Sequence, residues 1–191
     1  MALNDEIMQQ IQDEREELIG LLRKPLSKQH FSLLASHLLA RPELIALVSD
    51  VIESGEPGDA RRAAWLLSNA FDLDATLLVP HQEKLICLVL SAKEDSVRRS
   101  LLRVIDGAPV PPQYQGELFE ACMQWLVSER YAIAVRCNAM QILYRICLEE
   151  PELSAELIQQ IQELISFGSA GFKCRGNKII SRLRKQQISS N

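Results

Sequence analysis

Aromatic residues make up only 5% of this 191-residue chain, and Val- or Thr-rich runs bounded by turn residues are few. Strands draw on those types, so the composition argues against a β-rich fold, and the abundance of Leu, Ile and Ala points to helices. There is no CxxC pair, and the five cysteines, Cys87, Cys122, Cys137, Cys147 and Cys174, are odd in number. They read as reduced, small core residues rather than a disulfide framework or a metal site. No apolar run reaches the roughly 18 to 20 residues that span a bilayer. The opening stretch MALNDEIMQQIQDEREEL is acidic, unlike a basic leader feeding an apolar run, so a cytoplasmic protein with no membrane partner is expected.

Catalytic motifs are equally sparse. His30 and His37 stand seven apart, too far for the i, i+4 pair of a helical metal site, and His81 is remote from both. No GxSxG elbow occurs, and GSAG at 168–171 lacks the following Lys-Ser/Thr of a phosphate loop. No catalytic residue, metal ligand or cofactor is assigned. Nothing points to an enzyme, although a missing motif does not by itself exclude one.

The net charge of −4 argues against bulk polyanion binding but conceals a gradient. Residues 1–60 sum to −6, whereas residues 170–191 carry Lys173, Arg175, Lys178, Arg182, Arg184 and Lys185 with no acid. The chain ends basic.

What the sequence does contain is a repeat. DARRAAWLLSNA from Asp59, DSVRRSLLRVID from Asp95, IAVRCNAMQILY from Ile133 and AGFKCRGNKIIS from Ala170 align on Arg61, Arg98, Arg136 and Lys173, at spacings of 37, 38 and 37. The residues before the basic position are Ala60, Val97, Val135 and Phe172; three after it come Ala64, Leu101, Ala139 and Gly176. Two further apolar columns, from Leu67 and Ser68, complete one buried helical stripe. Small residues in the Ala64 column predict close helix packing, which accounts for Gly176 inside a helix despite a cost of about 1 kcal/mol. Between these helices lie others near 42–54, 80–93, 112–128 and 151–166, each beginning at or near a proline: Pro42, Pro80, Pro112 or Pro151. Two amphipathic helices precede them, near 3–23 and 27–40, with Ser27 as the N-cap of the second. The Pro-rich stretch 106–113 reads as a stiff connector.

These residues resemble the HEAT-like (HEAT/armadillo-type) helical repeats: an acid-bearing turn, a Val-Arg pair and an Ala/Leu-rich helix. The match is best at GDARRAAWLL and EDSVRRSLLRVI, fair at AVRCNAMQIL and weakest at GFKCRGNKII. The resemblance implies an all-α, right-handed α-solenoid of about five antiparallel helical hairpins. It would form a single domain over 1–191, with a capping hairpin at 1–41, four repeats over 42–185 and a flexible tail at 186–191. It also implies that the second helix of each hairpin lines a concave surface.

On that basis Arg61, Arg98, Arg136 and Lys173 are expected to form a structural ladder with acids or carbonyls in adjacent turns. Arg62 and Arg99 have no basic counterpart at Cys137 and Cys174. The partner-binding candidates are Arg103, Arg145, Arg175, Lys178 and Arg182, cations that would attract carboxylate or phosphate. The expected function is a non-enzymatic scaffold or protein-binding module for a partner with an acidic segment. A second reading is nucleic-acid binding, because HEAT-like alkylpurine DNA glycosylases set Trp, Asp and Arg on such a surface. Trp65 with Asn69, Asp106 with Arg103, and Arg145 mimic parts of that set, but Asn69 stands where a carboxylate is wanted. A third is self-association through the N-terminal face Ile7, Ile11, Leu18 and Leu22.

Overall fold

The computed structural model describes residues 2–25 and 27–189, with side chains described from residue 9 to 188 apart from residue 26. Among them every regular element is helical: α1 (Ala2–Leu22), α2 (Lys28–Ala40), α3 (Leu44–Ser54), α4 (Pro57–Leu73), α5 (Gln82–Ser91), α6 (Asp95–Ile105), α7 (Pro112–Val127), α8 (Ile133–Glu149), α9 (Ser154–Ile165) and α10 (Ala170–Ser189). Short 3-10 segments, Ala75–His81 and Pro151–Leu153, precede α5 and α9. This is the all-α, HEAT-type arrangement expected from the repeat. The chain forms two compact units, one ending at Val104 and one starting at Ile105.

Helix boundaries follow local chemistry. Ser27 caps α2 by accepting from the His30 backbone N–H at 3.0 Å, and the His30 ring Nε2 hydrogen-bonds the Leu21 carbonyl at 2.8 Å. That second bond adds to the Lys24 N–H, which reaches the same carbonyl at 3.3 Å just past the last turn of α1. Pro57 and Pro112 occupy the first turns of α4 and α7, where proline loses no helical hydrogen bond. Pro80 instead lies inside the 3-10 segment, two residues ahead of α5. That segment is started by Asp74, which accepts from the Thr76 N–H at 2.8 Å and its hydroxyl at 2.7 Å.

In the first unit α4 packs against α1, α2 and α3, and α3 against α5. Phe31, Leu22, Ile45, Val48, Ala63 and Leu67 are fully buried there. Arg23, just after α1, donates to both oxygens of the buried Asp59 carboxylate of α4, at 3.0 and 2.7 Å. These bonds hold the Arg23 guanidinium above its ordinary pKa. Of the α1 face read as an association surface, Leu18 and Leu22 are buried inside this unit and Ile11 is 46% exposed. The side chain of Ile7 lies outside the described residues.

In the second unit α7 packs on α8, α8 on α9 and α10, and α9 on α10. The stretch before α7 is fastened: Ala108 and Val110 are buried, and the buried Gln115 donates to the Val110 carbonyl at 3.1 Å. A Cβ added to Gly176 would sit 2.8 Å from Ile161 Cγ2 and 3.3 Å from Ile165 Cδ1. The close α9–α10 approach anticipated from that glycine is therefore real, and any larger residue there must displace the Ile161 side chain or the helix that carries it. Helix α10 continues through residues 186–189, read from the sequence as tail; residues 190 and 191 lie outside the described residues.

The aligned apolar columns are buried without exception: Ala60, Val97, Val135 and Phe172, then Ala64, Leu101, Ala139 and Gly176, then the two that follow. The cysteines divide by burial. Cys122 and Cys147 are buried, Cys87 and Cys174 exposed. Burial pushes the Cys147 thiol up to about 11 and Cys122 higher still. Because the thiolate is the nucleophile, iodoacetamide at neutral pH is expected to label Cys87 and Cys174 in the native protein, and Cys122 and Cys147 only after denaturation. Peptide mapping by mass spectrometry reads this directly, and native labelling of Cys122 would contradict the packing.

Candidate functional site

The basic residues of α4, α6, α8 and α10 fall into three environments. Those of the first aligned column differ among themselves. Arg98 is buried, donating to the Asp95 carboxylate at 2.9 Å and to the Ala92 carbonyl, which closes the turn ahead of α6. Arg136 donates from Nε to the Leu126 carbonyl of α7 at 2.9 Å, and its guanidinium lies 5.3 Å from the Phe172 ring centroid in α10. Arg61 and Lys173 are exposed.

The second environment is made by side chains two to nine residues further along each helix. Arg103 of α6 reaches back to α4, donating from Nη1 to the Ser68 hydroxyl at 2.6 Å and pairing with both oxygens of Asp72. In the second unit Arg145 of α8 donates to Asp106 Oδ1 at 2.8 Å, and Gln141 donates to the same oxygen at 3.4 Å. Arg175 of α10 donates to the Cys137 carbonyl at 3.0 Å and to Asn138 Oδ1 at 3.3 Å, both in α8. Arg103 and Arg175 each tie the second helix of a hairpin to the second helix before it, and Arg145 reaches the residue that follows α6. Lys178 is exposed, and Arg182, also exposed, lies with its guanidinium 5.9 Å from the Tyr144 centroid. Arg175, Lys178 and Arg182 share one face of α10, at i, i+3 and i+7. Of the five proposed partner-binding residues, Arg103 belongs to the first unit and the other four to the second.

The third environment was missed by sequence reasoning. Arg61, Arg62 and Arg99 line an open cleft of about 160 Å³ with Trp65, Ser96 and Ser100. The signal in the sequence is the Arg-Arg doublet that recurs in two successive repeats, Arg61-Arg62 and Arg98-Arg99.

The parts that resemble a glycosylase set are occupied. Trp65 is half-buried, its ring centroid 4.0 Å from that of Phe31. The Asn69 amide donates to the Trp65 carbonyl at 2.7 Å, inside its own helix. Arg103 is committed to Ser68 and Asp72, and Asp106 accepts from Arg145. Among the described residues no group of three or more His, Cys, Asp or Glu side chains is placed to hold a metal ion, and no helix is long and apolar enough to cross a membrane.

A family model for the HEAT repeat domain matches residues 5–183, nearly the whole chain. No curated protein and no solved structure matches it.

Proposed function

We propose, since the chain belongs to the HEAT repeat family, that it is a non-enzymatic protein-interaction module whose C-terminally basic surface binds an acidic segment of a partner protein. HEAT repeats generally serve as protein-interaction scaffolds. One observation carries the finer reading: α10 bears Lys173, Arg175, Lys178, Arg182, Arg184 and Lys185 and no acid, with Lys178 and Arg182 exposed. Arg103 and Arg145 already face Asp72 and Asp106, so within this basic set the reading rests on the exposed Lys178 and Arg182 of α10. Phe167, 86% exposed just ahead of α10, supplies the kind of aromatic anchor that protein interfaces use. The acidic first 60 residues repel the same partner and so orient its approach.

The test is a charge reversal. K178E/R182E should keep the far-UV circular dichroism of the unchanged protein, since surface substitutions of this kind stay within about 0.5 kcal/mol. It should weaken capture of a fluorescein-labelled glutamate-rich peptide by at least about tenfold, with the difference shrinking as salt rises. Equal affinity of the two proteins overturns the reading. The nucleic-acid alternative draws on the same cationic helix and separates in the same assay: tighter binding of labelled duplex DNA than of the acidic peptide, falling steeply with salt, would replace the protein partner with DNA.

A further inference from the structure

The cleft between α4 and α6 is lined wholly by residues of the first unit. Its lining consists of Arg61, Arg62, Arg99, Trp65, Ser96 and Ser100, three cations with no carboxylate among them. Three guanidinium groups gathered on one concavity repel each other, and an anion at their centre relieves that repulsion. The donors are not all spent. Arg62 gives Nη1 to the Leu22 carbonyl at 3.2 Å, but its Nε is buried with no hydrogen-bond partner. A buried N–H without an acceptor is costly, so the Arg62 guanidinium is not fully satisfied by its own surroundings. The hydroxyls play a smaller part: Ser96 donates to Glu94 and Ser100 to the Ser96 carbonyl, so attraction rests on the arginines.

We infer that this cleft takes the phosphoryl group of a phosphorylated side chain on a partner protein. Charge and size both select it. A phosphorylated serine, threonine or tyrosine brings nearly two negative charges and three acceptor oxygens, a match for several guanidinium forks, whereas a carboxylate brings one charge and two oxygens. Arginine clusters are a recurring means of phosphopeptide recognition. At about 160 Å³ the cleft is well below the 300–1,000 Å³ of sites that enclose drug-sized ligands, so it admits a modified side chain rather than a whole nucleotide. Trp65, held against Phe31, gives the cleft a rigid apolar wall for the carbon stem behind the phosphate.

Trp65 also supplies the measurement. The indole N–H resonances of Trp65 and Trp125 are followed by NMR as a blocked Ala-phosphoserine-Ala tripeptide is added, with Trp65→Phe assigning the pair. The Trp65 resonance should move saturably while Trp125 stays. The matching serine tripeptide should produce no shift, and the glutamate tripeptide and adenosine monophosphate should bind at least tenfold more weakly. R61Q/R99Q alters two exposed side chains, so its circular dichroism should match the unchanged protein while the phosphopeptide shift is lost or weakened at least tenfold. K178E/R182E should bind the tripeptide normally, which keeps this site separate from α10. Absence of a saturable Trp65 shift, an unchanged affinity in R61Q/R99Q, or equal binding of the glutamate tripeptide or the nucleotide overturns the inference.

Discussion

Phe31→Ala is expected to destabilise the first unit by about 3–5 kcal/mol. Phe31 lies on α2 of the capping hairpin, is 0% exposed, and packs its ring 4.0 Å from Trp65 with the His30 ring edge-on at 5.8 Å. Truncation removes the apolar burial and leaves a cavity between α2 and α4 that rigid helices fill only in part. Repeat proteins draw much of their stability from nearest-neighbour interfaces, and Phe31 is where the cap meets the first repeated helix. Urea titration followed by tryptophan fluorescence measures the loss. A cycle with Trp65→Leu isolates the ring pair, worth about 0.5–1.5 kcal/mol beyond burial. A total loss under about 1 kcal/mol would mean that the cap is not stabilised through this contact. F31A should also slacken the arginine cleft, since Trp65 loses its backing.

The apolar framework was legible in the sequence because burial depends on a column of short side chains at helical spacing. Val97, Leu101 and Ile105 could be placed from their spacing alone, as could the close approach at Gly176. The arginines were legible only as positions. A guanidinium stands at the end of a long stem and can reach a carbonyl in its own hairpin or a carboxylate one repeat earlier from nearly the same helix position. Arg98 turns into its own loop, whereas Arg103, five residues on, reaches back to Ser68 and Asp72. The anchoring acceptors, such as the carbonyls of Leu126 and Cys137, have no side-chain signature at all. Asp74 before Thr76 was a readable cap, and it would have marked the 3-10 segment that delays α5 to Gln82.

Phe172→Ala is the corresponding change in the second unit, and it probes function together with fold. Phe172 is 0% exposed in the first turn of α10, the Arg136 guanidinium lies over its ring, and a Cβ on Gly168 would meet its Cδ1 at 2.5 Å. Its removal should cost about 3–5 kcal/mol. The cost should fall on the docking of α10, an end helix that packs only on α8 and α9 among the elements with substantial contact. Urea unfolding should then begin at α10, with amide exchange in Ala170–Ser189 rising before exchange in α7 and α8. Because the exposed Lys178 and Arg182 lie on that helix, F172A should also lose the acidic peptide, as K178E/R182E does, but for a different reason. The charge reversal removes attraction and leaves α10 docked; the truncation leaves every charge in place and releases the helix that arrays them. An F172A protein with freed α10 amides and full peptide affinity would mean that recognition needs only a basic segment, not a helix held in register by Phe172.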